Sequence, residues 1–291
     1  MGSEALATHS LTRHHLRSRF VACYPDVYVS ADAEVTAAVR ARAAWLWSGR
    51  RGVVAGQSAA ALHGAKWVDA RKPAELLWPN RRPPKGIRGW ADRYQADEVE
   101  EINGMRVTTP ARTALDLACR YPLVKAVAAI DALARATHLE IADVESLAER
   151  YRGRRGIRKA RKALGLVDAG AESPQETWLR LVVIRNGFPR PQTQIPLYDE
   201  FGVLVAVFDL GWEDKMIAMD YEGEHHRVNR RRFNHDIRKA ETVAEMGWID
   251  IRVTAEDSEG GIVRRLTAAW RRRTCNVGEE STDLSPRMHT R

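Results

Sequence analysis

The residues of this chain whose types and spacing carry the most chemistry lie between Val203 and His226, in VLVAVFDLGWEDKMIAMDYEGEHH. Two short apolar runs, VLVAVFDL and KMIAMDY, are separated by Gly211 to Asp214 and read as a pair of strands. Asp209 stands near the end of the first, and Asp220 and Glu222 close the second, two residues apart. Strand side chains alternate between faces, so Asp220 and Glu222 share one side and Tyr221 takes the other. Pairing the strands as a hairpin brings Asp209 toward that same side. Three converging carboxylates repel one another, and a divalent cation relieves the repulsion. Mg2+ or Mn2+ prefers oxygen ligands and takes phosphate oxygens in its remaining positions, so the expected substrate is a phosphodiester.

The flanking segments must position these acids. Upstream, Ser173-Pro174-Gln175-Glu176 has a helix N-cap, a proline in the first turn and an acid three residues after the serine. This is a capping box, which by itself accounts for Glu176. Downstream, His225 and His226 open HHRVNRRRFNHDIRKAETVAEMG, where Phe233, Ile237, Ala240 and Ala244 recur at helical spacing. Arg230, Arg231 and Arg232 enter that helix and Arg238 lies off its apolar stripe, all suited to gripping a phosphate backbone. WIDIRVTAED then reads as a strand and GIVRRLTAAWRRR as a last helix, giving a mixed sheet covered by helices.

The order Asp209, Asp220-x-Glu222-Gly223, His225 and His226, then a basic helix, resembles the PD-(D/E)xK nuclease fold. The resemblance is to its very-short-patch-repair-like (Vsr-like) branch and covers roughly residues 170 to 272. It implies a restriction-endonuclease-like mixed sheet and Mg2+ or Mn2+ held by Asp209, Asp220, Glu222 and, matched in order on the first helix, Glu176. His225 or His226 would then act as general base or protonate the leaving oxygen. Where many relatives carry a lysine, this chain has Glu222.

Composition bounds the rest. A chain of 291 residues suggests two domains, and a formal net charge of +8 favours a polyanionic partner. The three cysteines, Cys23, Cys119 and Cys275, form no CxxC pair, which argues against a zinc cluster or a disulfide framework and for a reduced cytoplasm. No apolar run reaches the length of a membrane span.

In the N-terminal half, LTRHHLRSRFVACYPDVYVS reads as a basic helix from Leu11 to about Ser18, followed by a strand pair turning at Pro25-Asp26. That is the order of recognition helix and wing in winged-helix proteins, with the preceding helices short or missing; a strand packed on the next domain is the equal alternative. Further on, Ser58-Ala-Ala-Ala-Leu-His-Gly64 and VTTPARTALDLA resemble segments of AbiEi-type antitoxin proteins. The first is expected to be a helix capped by Ser58 and ended by Gly64, and in the second Arg112 is expected to pair with Asp116 four residues on. Residues 117 to 168 are expected to be helical throughout. Within them ERYRGRRGIRKARKALG sets eight cations in thirteen positions, from Arg150 to Lys162. Their repulsion predicts a nucleic-acid contact, with Arg154, Arg155 and Arg158 foremost.

The expected architecture is therefore α+β: a winged-helix remnant over 1–30, an AbiEi-like, mostly helical domain over 31–168, a Vsr-like domain over 169–273 and a disordered tail over 274–291. Three functional readings follow. One is a metal-dependent DNA endonuclease of a defence, repair or toxin-antitoxin system, with DNA and a protein encoded beside it as partners. The second is a non-catalytic DNA-binding regulator or antitoxin with a degenerate nuclease fold. The third has Asp220 and Glu222 simply paired with arginines of the helix that follows them. The sequence leaves the oligomeric state open.

Overall fold

A computed structural model describes residues 1–79, 82–223 and 240–279, with side chains through 274. The chain divides into two compact units, Met1–Ala169 and Gly170–Arg291.

The first unit opens with two short helices, α1 (Gly2–Ala7) and α2 (Arg13–Arg19), the second capped by Thr12, whose side chain accepts the His15 N–H. An antiparallel hairpin follows, β1 (Phe20–Tyr24) and β2 (Val27–Ser30), turning at Asp26 with φ +60. After α3 (Ala37–Trp47) comes a five-stranded sheet in the order β5-β4-β3-β7-β6. Its strands are β3 (Val53–Val54), β4 (Ala74–Leu77), β5 (Ile87–Trp90), β6 (Val99–Ile102) and β7 (Met105–Thr108). Helix α4 (Gly56–Leu62) starts at Ala55 rather than at Ser58. Ser58 lies inside it and accepts the Glu75 N–H, while the Glu75 carboxylate accepts the Gln57 N–H at 2.8 Å.

The helical stretch expected over 117–168 is divided among four helices, α5 (Pro110–Arg120), α6 (Leu123–Thr137), α7 (Ile141–Arg150) and α8 (Ile157–Leu164). The breaks have local causes. Pro122 forces an extended Tyr121, and His138 is left-handed. Gly156, at φ +89, lies so close to the Cys119 carbonyl that a Cβ would collide with it. The basic run is thus cut in two, at the turn over 151–156.

The second unit is a mixed four-stranded sheet in the order β11-β10-β9-β8, which agrees with the expected α+β class. Its strands are β8 (Gln192–Tyr198), β9 (Leu204–Trp212), β10 (Ile217–Glu222) and β11 (Ile249–Thr254). Strands β8 to β10 are antiparallel, and β10 and β11 are parallel, as a crossover connection requires. The turn expected at Gly211–Asp214 sits slightly later, in a 3-10 turn over Glu213–Lys215 with Met216 left-handed. Helices α9 (Pro174–Arg185) and α10 (Glu259–Glu279) cover one face, packing Leu179, Val183, Ile262 and Leu266 against Leu210, Ile217 and Met219. The other face buries Ile195, Leu197, Ala206, Phe208 and Ala218 with Val243. Residues 274–279, expected to be disordered, continue α10, and 280–291 lie outside the described residues.

Strand β9 does not alternate regularly. Ala206 and Phe208 face the Val243 side, yet Leu210 and Trp212, of the same parity, face α9 and α10. The alternation therefore slips by one residue at Asp209.

Candidate functional site

That slip places a polar row across the sheet. The pairs Thr193↔Leu210 and Ile195↔Phe208 leave Gln194 opposite Asp209, and Gln194 has a left-handed backbone at φ +53. On the other side the β9–β10 ladder ends at Met219↔Leu210, so Asp209 and Asp220 are next in register. There the carboxylates replace the carbonyls of a regular ladder: the Asp209 N–H donates to Asp220 Oδ1 at 2.9 Å, and the Tyr221 N–H to Asp209 Oδ2 at 2.6 Å. Asp220 in turn sits beside Arg252 of β11.

Glu222 is held differently. Its Oε1 lies 3.0 Å from Arg252 Nη1, while Arg252 Nε donates to Asp250 Oδ2 at 3.2 Å. Burial alone would lower the Arg252 pKa, but the hydrogen bond and charge of Asp250, with the charges of Glu222 and Asp220, raise it. The arginine that answers these acids thus comes from the next strand. Glu176 is buried at the start of α9. Its N–H donates to Ser173 Oγ at 3.2 Å, and its Oε2 accepts the Glu172 N–H at 2.7 Å and Gln194 Nε2 at 3.4 Å. Glu176 therefore caps its helix, one residue further out than a capping box, and reaches the edge of the row through Gln194.

Of the expected ligand set, then, Asp209 and Asp220 are brought together, Glu222 is engaged by Arg252, and Glu176 accepts from Gln194, the residue opposite Asp209. Among the described residues no group of three or more His, Cys, Asp or Glu side chains is disposed to hold a metal ion. The expected candidates His225, His226, Arg230, Arg231, Arg232 and Arg238 lie outside the described residues.

In the first unit the arginines divide into buried and exposed sets. Arg112, fully buried, pairs with Glu98 and, at 3.2 Å, with Asp116, as its spacing predicted. Tyr151 donates to both Glu98 oxygens, and its hydroxyl pKa is pushed up to about 12, first by burial and then by that hydrogen bond. Arg154, expected to reach nucleic acid, turns inward to Asp116 and Asp92. Arg150 pairs with Asp97, and Arg152 and Arg161 with Glu149. The repulsion within the basic run is thus relieved largely by acids of the same chain. Arg155, in the turn before α8, and Arg158 and Lys162, one turn apart on α8, remain exposed with no ion pair among the described residues. On α2 only Leu16 is buried, which leaves Arg13, His14, Arg17 and Arg19 exposed beside the β1–β2 hairpin.

Sequence reasoning missed Glu75. This acid is buried on β4, accepts the Tyr121 hydroxyl and the Gln57 N–H, and lies near Arg88. Its only signal was an acid inside the apolar strand AELLWP. His63, the C-cap of α4, has its Nε2 2.8 Å from the Thr108 carbonyl.

Comparison with known proteins bears on the first unit most directly. Residues 52–166 match the model of the AbiEi antitoxin C-terminal domain. The matched stretch contains both segments that resembled AbiEi-type proteins, the five-stranded sheet and α4 to α8. Two proteins of Mycobacterium tuberculosis, from two strains, are each 28% identical to this chain over 200 residues, covering 69% of it and 73% of the relative. They bear the names "Uncharacterized protein MT2308" and "Uncharacterized protein Rv2248". No solved structure matches. Among the described residues no helix is long and apolar enough to cross a membrane.

Proposed function

We propose that this protein is a non-catalytic DNA-binding regulator of the antitoxin type, working in the cytoplasm beside a partner protein of a toxin-antitoxin or defence locus. The observation that carries this reading is the match of residues 52–166 to an antitoxin domain, preceded in the chain by a basic helix and a hairpin. In this reading α2 supplies the DNA contact. Arg13 and Arg17, one turn apart, and Arg19 neutralise phosphates, and the hairpin lies alongside as a wing. Arg155, Arg158 and Lys162 form a second set of phosphate contacts.

The test is binding to a duplex carrying the protein's own promoter, measured over a salt series. Specific binding without cleavage is expected, with log K falling linearly in log salt. Arg13→Ala and Arg17→Ala should each weaken binding and reduce the slope by about 0.9. Binding that ignores both salt and these substitutions would refute the reading.

A second reading, favoured by the adjacency of Asp209 and Asp220, is a Mg2+-dependent DNA endonuclease. Asp209 and Asp220 would then hold the ion, with Glu222 and Glu176 completing the set only if Glu222 leaves Arg252. A bound ion would polarise the scissile phosphate and lower the pKa of its water. His225 or His226 would move the proton, and Arg230 to Arg232 and Arg238 would neutralise phosphate charge. Nicking of plasmid that requires Mg2+ or Mn2+ and disappears in Asp209→Ala would favour this reading over the first.

A further inference from the structure

Beyond the slip at Asp209, the face of the second unit's sheet that α9 and α10 cover is left open by the described residues. By alternation along β8, Pro196 and Tyr198 point away from the buried pair Ile195 and Leu197. Their cross-strand partners are Val207 and Leu204. The turn beyond adds Phe201 and Val203. Pro196 is exposed, and the other five range from 40% for Val207 to 82% for Phe201. The patch is contiguous, because each member is a strand partner or a turn neighbour of the next. At these fractions the large side chains offer on the order of 500 Å² of apolar surface, toward the upper end of what a monomer shows in one patch.

The patch is held rigid. Asp199 Oδ1 accepts the N–H groups of Phe201 and Val203 at 2.9 and 2.8 Å. The Asp199 N–H donates to the Val203 carbonyl, and the Gly202 N–H to the Asp199 carbonyl. A turn closed by four hydrogen bonds presents Phe201 at little entropic cost on association. The edge strand beside it is protected against another mode of contact: Pro196 lacks an N–H and interrupts strand addition along β8. Whatever covers this surface therefore packs on it through side chains.

We infer that this hairpin surface is the dimer interface of the protein, with a second copy of the chain as its occupant. Two such patches packed about a two-fold axis remove on the order of 1,000 Å² from water, the lower bound of a specific interface. The turn also carries the exposed Glu200, but the apolar side chains of one patch match those of another, and an isologous contact closes at two copies. The dimer carries two copies of α2, so it is suited to a DNA site with two half-sites.

The test is sedimentation equilibrium of the full chain over a wide concentration range, for the wild type, Phe201→Glu and Tyr198→Arg, with circular dichroism as a check on folding. The wild type should pass from monomer to dimer mass as concentration rises. Either substitution places like charges at the contact and should weaken the dimer by roughly 100-fold or more, with the circular dichroism spectrum unchanged. Both sites are exposed, so at least one variant is expected to fold normally. A wild type that stays monomeric, including one that assembles only with a different protein, overturns the inference. So does a dimer whose mass neither substitution moves.

Discussion

Both units gather charged side chains into clusters, but they neutralise them in different ways. Around Arg112 in the first unit, side chain answers side chain: Arg112, Arg120, Arg150 and Arg154 face Glu98, Asp92, Asp97 and Asp116. In the second unit Asp209 and Asp220 lean on backbone N–H groups at the point where two strands part, and Arg252 serves mainly Asp250 and Glu222. The first arrangement is a closed account of opposite charges and reads as scaffold. The second holds two acids by hydrogen bonds from backbone N–H groups of the parting strands.

The contrast can be tested by its extremes. Arg112→Leu removes the buried cation shared by Glu98 and Asp116, leaving Arg150 and Arg154 beside them, and should destabilise the first unit by about 3–5 kcal/mol in urea unfolding. A loss below about 1 kcal/mol would mean the network is not what holds these helices together. Asp209→Ala should cost the second unit less, about 1–3 kcal/mol, since it leaves one backbone donor at Tyr221 without its acceptor. If instead it costs as much as Arg112→Leu, the row is a scaffold too.

The smallest effect concerns Glu75. Burial raises its carboxyl above the usual 4.5, against the opposing hydrogen bonds from Tyr121 and Gln57 and the charges of Arg88 and Arg120. The folded state then holds this proton more tightly than the unfolded chain. Its stabilising contribution is complete below pH 4.5 and is lost as pH rises through the raised folded value. Glu75→Gln should flatten that decline, read as melting temperature against pH. Parallel profiles for the two proteins would show that Glu75 is not the group responsible.

The sequence foretold the parts of this molecule that depend on neighbours along the chain. The Arg112 to Asp116 pair and the capped start of α9 follow from residues within four positions of one another, and the hairpin of residues 20 to 30 from partners no more than ten apart. What escaped depends on distant partners. Nothing near Arg154 announces Asp92 and Asp116, so a buried ion pair looked like a free cation. Ser58 looked like a helix cap because the actual acceptor, Glu75, is seventeen residues away. In the second unit the acids were found by type and spacing, but the Arg252 contact was not, because it needs the parallel register of β10 and β11.

The change of side at Asp209 also affects how this strand is compared with others. Phe208 and Leu210 share parity but serve different layers, so matching hydrophobic positions alone would align a regular strand with only half of this one. A designer who transplanted VAVFDLGW onto an evenly pleated template would send Leu210 into the wrong layer. The aspartate is the fixed point from which both halves should be counted, and losing that single residue would shift every apolar side chain beyond it.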